Sequence, residues 1–136
     1  MSWTPTQDDA PYHRLGGEEA VRALAKRFYD HMDAEEPALA RLHDLDAEGK
    51  VSARSREHFA LFLVEWLGGP PLYSPVKGHP RLRLRHGKVT VNTAMRDAWL
   101  RCMQHAMDDC GIEGEVRTFL DARFAEVAEF LRNQEG

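Results

Sequence analysis

Long apolar runs are missing from this 136-residue chain. Nothing in it is apolar for long enough to span a bilayer, and the N-terminus lacks the apolar core of a secretory signal. An excess of positive charge is missing too. Lys and Arg number 18 against 22 Asp and Glu, a formal net charge of −4. Nucleic-acid-binding domains are usually basic, so this balance argues against nucleic acid as a general partner. Cysteine is scarce: Cys102 and Cys110 are the only two. On one continuous helix their Cα atoms would lie about 12 Å apart, too far for a disulfide. Two reduced thiols and no membrane segment predict a cytoplasmic protein. There is no internal repeat and no low-complexity tract. No Cys-x-x-Cys, His-Glu-x-x-His or His/Cys cluster at finger spacing occurs, which removes the common zinc sites. Glu-x-x-His pairs are absent as well, which removes a di-iron carboxylate bundle.

What remains is a chain with enough apolar and aromatic content to fold. The apolar fraction is 43%, with three Trp, three Tyr and six Phe, and that argues against disorder. The length suits one domain. Residues 1–10 are polar and punctuated by Pro5, and predict a flexible N-terminal arm before a domain over 11–136. A helical turn over 11–16 leads to Gly16-Gly17. Val21, Leu24, Ala25, Phe28 and Met32 then fall at helical spacing, and the helix should fade near Asp33 because Glu36 precedes a proline. Pro37 opens a short second helix through residues 38–42. Val51, Ser55, Phe59, Phe62, Leu63 and Trp66 mark a third, with Ser52 as a cap and Gly68-Gly69 as its stop. Asn92 caps the clearest stripe, Met95, Ala98, Trp99, Cys102, Met103, Ala106 and Cys110. Val116, Phe119, Leu120, Val127 and Leu131 mark a last helix to about Asn133. Residues 88–91 alternate like a strand but have no partner run. The fold class is therefore all-α.

Between the third helix and Asn92 lies GGPPLYSPVKGHPRLRLRH, residues 68–86. Its prolines and glycines forbid a regular helix or central strand, apart from a turn that Pro80 could open over 81–86. A connection this long and irregular in a small domain is usually functional or disordered. It carries Tyr73, Lys77, His79, Arg81, Arg83, Arg85 and His86. A lone histidine is more often surface or filler than a ligand. At the end of an Arg-rich loop, however, His86 suits an iron porphyrin, because imidazole binds iron and guanidinium pairs with propionates. The basic run also reads as a solvated surface or as a phosphate site. Tyr29 and Trp99 carry polar tips on apolar stripes and read, alone, as core residues with satisfied hydrogen bonds. Cys102 and Cys110 sit on a core stripe, where thiols are inert. His31 and Glu35 share a helical face without further partners, which reads as a solvated face.

Several spaced motifs together carry a resemblance. Gly-Gly-Pro at 68–70, Gly-His-Pro-Arg-Leu-Arg-x-Arg-His at 78–86 and Arg-Asp-Ala-Trp-Leu at 96–100 stand unbroken. Leu-Gly-Gly at 15–17 and Arg-Phe-Tyr at 27–29 match at compatible spacing. The chain resembles the bacterial group II truncated haemoglobins over roughly residues 11–132. That resemblance implies a two-over-two helical sandwich around haem b, with helical pairs 17–33/50–67 and 93–110/113–132. It implies His86 as the proximal iron ligand. On the opposite face it implies Tyr29 as the distal tyrosine and Trp99 as the group's marker tryptophan. His43 falls where members carry Tyr, His or Phe. Ser55 stands where most other globins place a distal histidine, and its small side chain leaves that gate open. Phe59, Phe62 and Leu63 follow along the same helix as apolar haem contacts. Arg85, Tyr73, His58 and His79 are the candidates for the propionates.

The chemistry of such a site is explicable. A diatomic ligand that draws electron density from iron becomes partly negative, and aimed donors stabilise it. The Tyr29 O–H, the Trp99 N–H and a neutral His43 N–H are donors. The resemblance therefore implies a protein that binds dioxygen and other diatomics tightly. Tight holding favours redox work, such as nitric-oxide or peroxide-linked oxidation, over bulk oxygen transport. The alternative is a non-catalytic sensor or store. An enzymatic role would need electrons from an unidentified reductase. No nucleic acid or membrane is expected as a partner, and a homodimer is compatible with the chain.

Overall fold

The computed structural model describes residues 3–73 and 92–131, and the side chains among them up to residue 129. Within these residues six helices appear: α1 Pro11–Leu15, α2 Glu18–Glu35, α3 Pro37–Ala40, α4 Ala53–Trp66, α5 Thr93–Asp109 and α6 Gly114–Leu131. No strand forms among the described residues; one antiparallel bridge joins Leu45 to Val51. No described helix is long and apolar enough to cross a membrane. The expected turn over 81–86 and the extended segment 88–91 lie outside the described residues.

Local chemistry sets the boundaries. Glu18 and Glu19 occupy the first turn of α2, where the positive end of the helix dipole favours carboxylates. α2 runs two residues past the expected Asp33. Only Glu36 itself leaves helical geometry, at φ −131° and ψ 64°, because the following Pro37 crowds the helical conformation of the residue before it. Its N–H still reaches Met32 O at 2.9 Å. Pro37 then starts α3, which ends at Ala40, before the expected Leu42. The Ser52 hydroxyl caps α4 by accepting from Ser55 N at 3.2 Å, and Asn92 caps α5 by accepting from Met95 N at 2.9 Å; each satisfies a helix-end donor that would otherwise lack a partner.

Packing follows the apolar stripes. α2 lies between α4 and α5, and α6 packs on α5. Val21, Leu24, Ala25, Phe28 and Met32 all turn into the core, as their spacing requires, and meet Leu63, Val64, Cys102, Met103 and Ala106. Cys110 is the exception to its stripe: it is exposed. The helix stops at Asp109, and Cys110, as the C-cap, leaves the face that Ala106 occupies. Cys102 is buried, and burial pushes its thiol up to about 12, with Glu36 and Glu35 adding to the shift, so it is an inert core group. Residues 3–10 lie along the α1 side. The Trp3 ring meets Phe119 at 5.3 Å, and the Arg14 guanidinium sits 4.1 Å over Trp3 while it grips Asp9 at 2.9 Å.

Candidate functional site

Tyr29 stands in the middle of α2, one residue beyond Phe28, and is only 4% exposed. Burial pushes its phenol well above its ordinary value, against the opposing pull of Arg56, whose guanidinium carbon lies 5.6 Å from the ring centre. Tyr29 is thus a neutral O–H group at any physiological pH, able to donate. Trp99 enters from α5 and is half-buried. The Phe28 ring touches both, with centroids 5.0 Å from Tyr29 and 5.3 Å from Trp99, each edge-on. Two residues with polar tips, from two helices, are therefore held against one buried ring.

A second branch runs along α4. Phe59 lies 5.5 Å from Tyr29 and 5.1 Å from Phe28. Phe62 follows at 6.1 Å from Phe59, and Tyr73 meets Phe62 at 5.6 Å. Leu63 is fully buried beneath them. Phe59, Phe62 and Leu63 share one side of α4 because positions three or four apart do.

His43, just past α3, places its ring 5.7 Å from Tyr29. Its Nδ1 lies 3.1 Å from Leu39 O. A carbonyl only accepts, so Nδ1 carries the proton in this contact. In the neutral ring Nε2 is then an acceptor; it donates only when the ring is protonated. Ser55 is half-buried, and its hydroxyl accepts from Ser52 Oγ at 3.3 Å within the α4 cap.

The structure thus brings Tyr29, His43, Phe59, Phe62, Trp99 and Tyr73 into one connected aromatic assembly, with Ser55 at its α4 edge. His79, Arg85 and His86 lie outside the described residues, so the iron-ligand and propionate expectations that fall on them have no geometry here. Sequence reasoning passed over Arg56. Its side chain bonds Asp30 Oδ1 at 3.0 Å, Val51 O at 3.1 Å and the carboxylate of Asp33, and so fixes the start of α4 to α2 beside Tyr29. No spacing rule separates such an arginine from one on a solvated face. Phe28 was assigned only to the core, although it supports both Tyr29 and Trp99. Phe124 also meets Trp99, at 5.9 Å; it follows Leu120 by one helical turn, a signal available in the sequence.

Comparison with known proteins is decisive about ancestry. The family described as bacterial-like globin matches residues 10–133. The group 2 truncated hemoglobin YjbI of Bacillus subtilis is 40% identical over 126 residues, covering 93% of this chain and 90% of that protein. The chain belongs to the group II truncated haemoglobins. Solved structures agree on the two-over-two fold. The cold-adapted truncated hemoglobin of Pseudoalteromonas haloplanktis superposes with a TM-score of 0.83 at 38% identity, covering 92% of this globin and 98% of that chain. The truncated oxygen-avid haemoglobin of Bacillus subtilis gives 0.81 at 39% identity, covering 91% and 99%.

A truncated haemoglobin holds haem iron, and with it a small ligand. The residues described here fit that group. Around Tyr29 they offer aromatic faces, which suit a flat apolar macrocycle, and O–H or N–H donors, which suit a partly negative ligand. Among the described residues no charged side chain is buried, so no uncompensated charge opposes the macrocycle.

Proposed function

We propose that this truncated haemoglobin retains diatomic ligands tightly through Tyr29 and Trp99, and that it serves redox chemistry, of the nitric-oxide or peroxide-linked kind, in preference to bulk oxygen delivery. His86 is the proposed iron ligand, with Arg85, Tyr73 and His79 as partners for the propionates. Haem, when bound, supplies the iron at which a diatomic ligand binds and reacts. This chain's own residues set how long the ligand stays. Tyr29 keeps its proton because it is buried, and so offers an O–H. Trp99 offers an indole N–H that cannot be lost. One observation carries the reading: both rings lean edge-on against Phe28, at 5.0 and 5.3 Å. Donors locked by packing stabilise developing negative charge without reorganising. Each bond is worth on the order of 1–3 kcal/mol in such a pocket, or about 5- to 150-fold in ligand release. The description of the Bacillus subtilis relative as oxygen-avid supports the same reading. Electrons would come from a reductase in the cytosol.

Visible spectra and stopped-flow dioxygen release test this together. The expected result is a Soret band lost in His86→Ala, and release at least about fivefold faster in Tyr29→Phe and in Trp99→Phe. Unchanged release in both aromatic variants would refute the donor argument. A Soret band that survives His86→Ala would remove that residue as the ligand. Consumption of nitric oxide by the oxygenated, reductant-supplied protein separates redox work from storage.

A further inference from the structure

Away from the aromatic assembly, the C-terminal ends of α2 and α5 converge. Each presents a histidine followed four residues later by a carboxylate: His31 and Glu35 on α2, His105 and Asp109 on α5. The i, i+4 spacing puts each pair on one face, and the packing of α2 on α5 brings the two pairs together. The solvated face expected for His31 and Glu35 is therefore half of a four-residue cluster. His31 Nδ1 meets Glu35, His31 Nε2 meets Asp109 Oδ2 at 2.6 Å, and His105 Nδ1 lies 3.4 Å from Glu35 Oε2. The two imidazole rings are 5.2 Å apart.

We infer that His31, Glu35 and His105 form a binding site for a divalent transition-metal ion of zinc type, with Asp109 as the carboxylate that orients His31. The ligand atoms of the first three already lie within 4.8 Å of one another. Zinc bonds to nitrogen and oxygen of about 2.0–2.2 Å span tetrahedral edges of about 3.3–3.5 Å. Small rotations of partly exposed side chains close that gap; His31 is 23% exposed, Glu35 44% and His105 45%. Three protein ligands leave a fourth position for water. The Asp109 contact is the second part of the argument. A metal-bound imidazole typically donates its other ring N–H to a carboxylate, which fixes the tautomer and the ring plane. His31 has that arrangement, with Glu35 at one nitrogen and Asp109 at the other. The backbone adds to it. Neither helix has a basic residue in its last turn, so two negative helix ends point toward the cluster and favour a cation. Nearby Arg101 is committed to Glu36, at 2.8 Å. This inference does not depend on the ligand chemistry proposed for Tyr29 and Trp99.

Calorimetric titration of the haem-loaded protein with Zn²⁺ tests the site. The expected result is one saturable ion per chain, bound at least tenfold more weakly in His105→Asn and in Glu35→Gln, and roughly 10- to 100-fold more weakly in Asp109→Asn. The thermal midpoint of the unaltered protein should rise with zinc, because the ion binds the folded state. An unchanged Soret band and helical content in each variant keeps lost binding distinct from lost fold. Zinc-edge X-ray absorption of the unaltered protein gives an answer that needs no variant: outer-shell scattering from two imidazoles supports the site. No saturable zinc, or zinc binding unaffected by both His105→Asn and Glu35→Gln, overturns it and leaves a proton-bridged ion-pair cluster.

Discussion

Tyr29 shows how one residue acquires a role from its surroundings. As a phenol on an apolar stripe it was indistinguishable from any core tyrosine. Its burial keeps the proton on the phenol, against the pull of the Arg56 guanidinium near its ring, and the Phe28 edge fixes its position. His43 shows the converse. Its ring lies beside Tyr29, but Nδ1 is turned to the Leu39 carbonyl. A neutral His43 then presents a lone pair at Nε2, where a donor was expected from residue type alone. The difference has a measurable consequence. His43→Leu should change dioxygen release by less than about threefold, while Tyr29→Phe changes it by more than about fivefold. Comparable acceleration in the two variants would show that His43 donates directly to the ligand.

Among the elements, the junction of α1 with the end of α4 depends on glycine for a steric reason. Tyr12 N donates to Leu67 O at 2.9 Å, which draws the start of the domain against the α4 terminus. A Cβ on Gly69 would stand 2.5 Å from two Tyr12 ring atoms and 2.8 Å from Val64 O. A Cβ on Gly68, whose φ is +101°, would stand 2.5 Å from Ala10 Cβ. The Gly-Gly pair was legible as a helix stop; that it also receives α1 was not, because the contact joins residues far apart in the chain. Gly69→Ala should lower stability by about 1–3 kcal/mol, read as a lower urea midpoint with the same slope. Tyr12→Ala should relieve the Tyr12 part of the clash in the double variant, leaving the contact with Val64 O, and make the two changes less than additive. Helix caps at Ser52 and Asn92, by contrast, were readable from sequence because capping is local.

For the molecule as a whole, several carboxylates are held as anions by hydrogen-bond partners, most of them close in the chain. Hydrogen bonds from Arg14 hold Asp9 at about 2. His31 holds Glu35 below the usual range, and the Lys50 backbone N–H does the same for Asp46. At Asp30 burial works the other way, but hydrogen bonds from Lys26 and Arg56 outweigh it. A depressed folded-state value means stability that is fully present above the unfolded carboxylate range of about 4 and is lost as pH falls through the folded value. His31 is raised, chiefly by its bond to Glu35, so its contribution is complete below about 6.5 and fades as pH rises. The urea midpoint should therefore fall from about pH 4 toward pH 2, modestly because these pairs are exposed and screened. Asp9→Asn should flatten that fall, since the variant has no carboxylate there to protonate. An equal slope in the variant would show that the Arg14 pair does not contribute.

At this scale the division of labour is plain. Apolar spacing at 3.6 residues, caps, and proline and glycine stops determined the helices, because those signals act within a few residues. Spaced motifs determined the family, because several of them had to coincide. Only the packing of α2 between α4 and α5 decided the rest. It set Phe28 between Tyr29 and Trp99, placed Arg56 beside Tyr29, and brought His31 and Glu35 up to His105 and Asp109. The bonds from Arg56 to Asp30 and from His31 to Asp109 join residues 26 and 78 positions apart. Such pairings depend on how helices are rotated and crossed, and no single helix encodes that for its neighbour.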